Sequence, residues 1–115
     1  DRGQIEGGLA QGLGWMTIED LSFNEKGQLL SGALATYKVP DVYFMPDDIE
    51  LTFLEDEENT LGPYGNKAVG EPPLMYGIGV FFAIRCAMRA FRPQKEFALA
   101  SPLTPERVLL QLYAD

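Results

Sequence analysis

Histidine is absent from this sequence, and cysteine occurs once, as Cys86. The usual nitrogen and sulfur ligands of zinc and iron–sulfur sites are therefore missing as a set, and no intrachain disulfide can form. Any metal must arrive already held by something else. There is no Ser-His-Asp set, no phosphate-binding loop and no dinucleotide fingerprint. Basic residues are scarce, 9 Lys and Arg against 17 Asp and Glu, for a formal net charge of -8. Such a charge repels polyanions, which argues against nucleic acid and anionic membranes as partners. Long hydrophobic runs are lacking too. The most extended, "LMYGIGVFFAI" from Leu74 to Ile84, falls short of the roughly 20 residues that cross a bilayer. No basic head with an apolar middle marks a signal peptide. These absences lead to the expectation of a soluble, cytoplasmic protein.

What is present fits a single domain, residues 1–115. The chain opens on Asp1 and enters helix-like sequence at once, so it reads as a piece of a longer one. In "QIEGGLAQGLGWMTIED", Ile5, Leu9, Leu13 and Met16 recur at helical spacing, while Gly3, Gly7, Ala10 and Gly14 form a face with almost no side chains. Glycine weakens a helix interior by about 1 kcal/mol against alanine, so another backbone or a ligand is expected to approach there. The next segment, "LSFNEKGQLLSGALATYKVP", reads as a hairpin of two short strands, with Gly27 at the positive-φ position of its turn. Pro40 and Pro46 bracket a loop, and "IELTFL" from Ile49 to Leu54 alternates as a strand does. Glu55, Asp56, Glu57 and Glu58 then read as a solvated turn.

The second half has a glycine-rich loop, "GPYGNKAVGE", leading into "EPPL". A proline disfavours the helical region for its predecessor, so Glu71 is expected in an extended conformation, just outside a helix that Pro72 or Pro73 opens. That helix runs to about Phe91, with Arg85, Arg89 and Arg92 near its C-terminus and Pro93 as its stop. Its first half carries no charge and is expected to be buried on all sides, with Cys86 as an inert core residue. A short helix follows, capped by Thr104, with Pro105 at its first position and Val108, Leu109 and Leu112 facing inward. The fold class expected is α+β: two main helices and a short C-terminal one packed on a small, mostly antiparallel sheet.

Four features stand out as places for chemistry: Gln4, the glycine pair Gly7 and Gly8 with Gln11, the loop from Lys67 to Gly70, and Glu71. A carboxylate at a helix start is favoured by the helix dipole by about 0.3–1 kcal/mol, and Glu71 can be read that way. The proline pair after it restricts the backbone more than a simple charge requires, and a general base needs positional precision of that kind. Both readings are open from the residues alone.

The blocks "GQIEGGLAQGLGW", "TYKVPD", "NKAVGEPPL" and "FFAIRCAMRA" occur in that order. In this the chain resembles the C-terminal part of the molybdenum-binding subunit of the xanthine dehydrogenase family of molybdenum hydroxylases. The resemblance covers nearly all of residues 1 to 92, and the tail "SPLTPERVLLQLYA" is similar to bacterial members whose molybdenum subunit is a separate chain. It implies Glu71 as general base beside the molybdenum and Gln4 as a hydrogen-bonding partner of the pterin, with the backbone of Ala68, Val69 and Gly70 near the cofactor. It implies molybdenum–molybdopterin as cofactor, held through the pterin's own sulfur atoms, with no metal ligand from this chain. Iron–sulfur clusters and FAD would sit on other domains or subunits. The partners implied are the remainder of the molybdenum subunit, the iron–sulfur and flavin subunits or domains, and a purine substrate. The reaction would be hydroxylation of xanthine or hypoxanthine to uric acid. The alternatives are a sister enzyme acting on aldehydes or other N-heterocycles, and a non-catalytic packing or assembly module. The piece by itself is expected to be inactive and to self-associate.

Overall fold

The computed structural model describes residues 1–54 and 59–114. Among the described residues the helices are α1 (Arg2–Thr17), α2 (Pro72–Gly77), α3 (Gly79–Phe91) and α4 (Pro105–Tyr113), with a 3-10 turn at Pro63–Gly65. Because α2 and α3 are separated only by Ile78, they act as one jointed rod, and the architecture is three helical rods joined by irregular segments. Glu55, Asp56, Glu57 and Glu58, read above as a solvated turn, lie outside the described residues.

The expected helix-on-sheet arrangement is not what forms. Among the described residues there is no strand, only one isolated antiparallel bridge between Phe23 and Leu29. The turn of the expected hairpin is present. Gly27 has φ +75°, and the Asn24 carboxamide oxygen accepts from the N–H groups of Lys26 and Gln28, both at 3.0 Å. The ladder fails to propagate because a two-stranded ribbon needs a third strand or a face to pack on. Leu21, Phe23, Leu29 and Leu30 all remain exposed. Residues 49–54, expected as a strand, likewise form none.

The core is small and sits where α1, α3 and the chain before α4 meet. It consists of Met16, Phe81, Met88, Phe97 and Leu103, with Ile78, Val80, Ile84, Val108 and Leu112 packed against it. Leu103, only 2% exposed, is pinned by its own N–H donating to the Met16 carbonyl at 2.8 Å. Arg85 straps the same segment to α3, donating to the carbonyls of Ala98 at 2.6 Å and Phe97 at 3.3 Å. At the start of α4 the Thr104 hydroxyl accepts from the Arg107 N–H at 3.2 Å, satisfying one of the orphan donors of the helix start. The Arg107 guanidinium reaches back to Asp20 at 3.0 Å and to the Pro102 carbonyl at 3.1 Å.

Three expectations about burial are corrected. Cys86 is exposed rather than in the core. Leu109 faces outward, unlike Val108 and Leu112. The first half of the α2–α3 rod is not buried on all sides, since Met75 and Tyr76 are exposed. The common reason is that this chain cannot cover its own apolar surface. It exposes 9205 Å², roughly 3,000 Å² more than the about 6,200 Å² of a compact protein of its mass. Its radius of gyration is 18.1 Å, against about 13 Å for a compact domain of this length. The jointed rod also exceeds the apolar run read from the sequence. Pro72–Phe91 is 20 residues with a mean hydropathy of 1.4 in its most apolar window, long and apolar enough by length and composition to cross a membrane. The core helix of a larger protein meets the same criterion.

Candidate active site

Two helices meet through their backbones and thereby set the site. A Cβ built on Gly8 would lie 2.8 Å from the Cβ of Pro73, and one on Gly12 would lie 2.3 Å from the Leu74 carbonyl oxygen. Only hydrogen at those positions allows α2 to lie this close to α1. The approach anchors the first turn of α2, and with it Glu71, beside the N-terminal half of α1.

Glu71 itself is reached through a sharp reversal. Gly70 has φ +65°, a conformation that side chains rarely adopt. Glu71 then has φ -91° and ψ -9°, so the extended backbone expected before a proline is not adopted. The reason is that its carbonyl accepts the first helical hydrogen bond, from the Met75 N–H at 3.2 Å, which draws it into the helix as N-cap. Its side chain, however, makes no capping hydrogen bond. Glu71 is exposed and lines the adjoining cleft.

That cleft, of about 460 Å³, is lined by Gly3, Gln4, Gly7, Gly8, Gln11, Gly70, Glu71 and Leu74. It gathers in one place residues that are far apart in the chain: the two carboxamides and three glycines of α1, and the corner that carries the carboxylate. A Cβ on Gly3 or Gly7 would meet nothing within 4 Å, so these positions are open toward the cleft. The glycines thus divide by role. Gly8 and Gly12 make helix contact, Gly14 lies against the Pro40 ring, and Gly3 and Gly7 leave a bare wall.

Not every singled-out residue comes to this cleft. Lys67, Ala68 and Val69 line a different, more apolar hollow of about 450 Å³ with Ile5, Pro73 and Tyr76. Leu74, which the sequence reading passed over, forms part of the Glu71 cleft. Its signal was its spacing, one helical turn after Glu71.

The donor set suits a flat, polar heterocycle. Carboxamides pair with a lactam-like edge, and bare glycine backbone admits a planar group. Among the described residues no cluster of three or more His, Cys, Asp or Glu could hold a metal ion. The carboxamide-bearing residues and the bare glycine backbone present fit an organic group of the flat, polar kind.

Comparison with known proteins points the same way. The family model for a molybdopterin cofactor-binding domain matches residues 1–46, which include all of α1. Xanthine dehydrogenase/oxidase of Felis catus is 42% identical over 94% of this chain and 9% of its own length. Aldehyde oxidase 1 of Rattus norvegicus is 39% identical, over 94% of this chain and 8% of its own. The crystal structure of quinoline 2-oxidoreductase from Pseudomonas putida 86 superimposes with a TM-score of 0.73 at 29% identity, covering 96% of this chain and 14% of that one. The chain therefore spans about a tenth of the length of the relatives it matches. A backbone that follows a molybdenum hydroxylase nearly end to end, with identity near two residues in five to its relatives, places this chain in the xanthine dehydrogenase family of molybdenum hydroxylases.

Proposed function

We propose that this chain is a segment of the molybdopterin-binding domain of an oxidoreductase that hydroxylates purines, with Glu71 as its general base. The observation that carries the proposal is the single cleft in which Gln4, Gly70 and Glu71 come together. When bound, the molybdenum cofactor supplies the two-electron oxidation of a substrate carbon. The residues of this chain bind, orient and move a proton. The Gln4 carboxamide would hydrogen-bond the pterin, and the Gly3 and Gly7 backbone would let a planar group lie close to α1. A carboxylate oxygen of Glu71 would accept the proton released as the new carbon–oxygen bond forms, and its freedom from any cap hydrogen bond leaves it available for that. Pro72 and Pro73 hold the corner that aims it, Pro73 buried against α1.

Iron–sulfur clusters and FAD, on other domains or subunits, would carry the electrons away, and the working enzyme would be cytoplasmic. A second reading has specific support, since an aldehyde oxidase resembles the chain nearly as well as xanthine dehydrogenase/oxidase does, at 39% against 42% identity, and a quinoline oxidoreductase shares its backbone. On that reading the substrate is an aldehyde or another N-heterocycle. The complete, molybdenum-loaded enzyme assayed on xanthine, hypoxanthine, quinoline and an aromatic aldehyde separates the two. Highest kcat/KM on a purine supports the first. Purines left untouched while an aldehyde or quinoline turns over would establish the second.

A further inference from the structure

We propose that Gln11 is a second side-chain reader of the group taken up by the Glu71 cleft, holding the end of that group farther from Glu71. This rests on the proposed function and deepens it. Gln4 and Gln11 both line the cleft. On a helix, positions seven apart lie about 20° apart around the axis and about 10 Å apart along it, so the two carboxamides stand nearly above one another.

The register between α1 and α2 locates the carboxylate relative to both. Gly8 meets Pro73 and Gly12 meets Gly77, so the helices run in the same direction with matched levels. Carried back two residues, this puts Glu71 level with Glu6. It stands about 3 Å above Gln4 along α1 and about 7.5 Å below Gln11. Gln11 is thus the glutamine of the cleft farther from Glu71 along α1. Between the amides the wall is bare at Gly7, where a Cβ would meet nothing within 4 Å. Glycine weakens a helix interior, and no side chain of the described residues packs there to account for it. A group spanning both amides does account for it. Each carboxamide offers a donor beside an acceptor, the complement of a neutral lactam or amidine edge rather than of a charged one.

The test uses the complete enzyme with Gln11→Met, which keeps side-chain length and helix propensity while deleting the donor and acceptor. Molybdenum and pterin content per polypeptide and the rate of pterin release are measured, with turnover per bound molybdenum across pH. Loss of one neutral hydrogen bond predicts release about 3-fold to 10-fold faster, with unchanged circular dichroism and an unchanged pH–rate profile. Wild-type release would overturn the proposal. So would full cofactor retention with a displaced pH–rate profile, which would make Gln11 a positioning residue for Glu71. Glu71→Gln is run in parallel. Should it keep full turnover, the general-base reading fails, while the release rates still decide the role of Gln11.

Discussion

Gly12 of α1 and Gly77 of α2 touch backbone to backbone: a Cβ added to either would lie 2.8 Å from the Cα of the other. Everything near the carboxylate depends on that contact, because it fixes the level at which α2, and the corner before it, lies along α1.

Gly12→Ala is accordingly expected to destabilise the complete enzyme. The new methyl would sit 2.3 Å from the Leu74 carbonyl oxygen, and backbone cannot swing aside as a side-chain end can. Overpacking of this kind costs about 1–3 kcal/mol. The temperature of thermal inactivation should fall by several degrees, and an unchanged value would show that the helices do not depend on this approach.

Gly7→Ala separates packing from site. With nothing within 4 Å of the added Cβ, the fold loses nothing, and the helix gains about 0.5–1 kcal/mol. The methyl nevertheless narrows the cleft. Molybdenum content of the purified enzyme should drop while thermal stability holds or rises. Full content with full activity would mean that nothing lies against that wall.

Glu71→Gln tests the base. Shape is kept and the proton acceptor is lost, which lowers turnover by about 100-fold to 10,000-fold. Cofactor content should remain at the wild-type level, since Gln4 and the glycines are untouched. Turnover per bound molybdenum within a few-fold of wild type would remove Glu71 from that role.

The helices were legible in the sequence because their signals are local. Proline at the first turn of α2 and α4, Thr104 as cap and Pro93 as stop act within a few residues of where they stand. The gathering of Gln4, Gln11 and Glu71 could be suspected only as separate features, since no local pattern states that residue 8 meets residue 73. The sheet was misread for a physical reason. Alternation in "IELTFL" and the turn at Gly27 are necessary for strands, but pairing needs a covering face, and Phe23 and Leu29 find none within the described residues. The burial of Cys86 and Leu109 was misjudged on the same ground, because apolar surroundings in sequence imply burial only where a neighbour exists to bury against.

The start of α4 offers a comparison of a cap with an ion pair. Thr104→Ala removes the acceptor for the Arg107 N–H and should cost about 1 kcal/mol. The Arg107–Asp20 pair is over a third exposed on both sides, so Asp20→Asn should cost only about 0.2–1 kcal/mol. Raising salt should shrink the second effect and leave the first. Urea unfolding at two ionic strengths reads both, and equal salt sensitivity would contradict the assignment.

Tyr37 gives a pH dependence with a definite sign. Its pKa is raised from 10.0 by donating a hydrogen bond to the Glu19 carboxylate, then by burial, then by repulsion from the same charge. The folded state therefore favours the protonated phenol. The stability this adds is full below the unfolded pKa and is lost as pH climbs through the raised value. Wild type and Tyr37→Phe should differ by a constant amount at neutral pH and converge in strongly alkaline solution. A difference that instead grew with alkalinity would reverse the sign and refute the coupling.

The surface left bare by this chain predicts its behaviour when the 115 residues are expressed alone. Phe82 and Phe91 on α3 are exposed with Leu109, Leu110 and Tyr113 on α4, and the Phe91 and Tyr113 rings meet edge to face, 6.4 Å between centroids. Contiguous apolar patches beyond a few hundred Å² mark surfaces that other protein covers. In the relatives, which are some ten times longer, the rest of the polypeptide is available to do so. Alone, the chain can cover them only with another copy, and its charge of -8 opposes that association at low salt more than at high. Sedimentation velocity should therefore show dimers or larger species whose share rises with both concentration and salt. Leu109→Ser with Tyr113→Ser should lower that share without unfolding α4, whose inward residues are Val108 and Leu112. A sharp monomer boundary at high concentration and high salt would show that these faces are not adhesive, and would leave the large exposed apolar area without a partner.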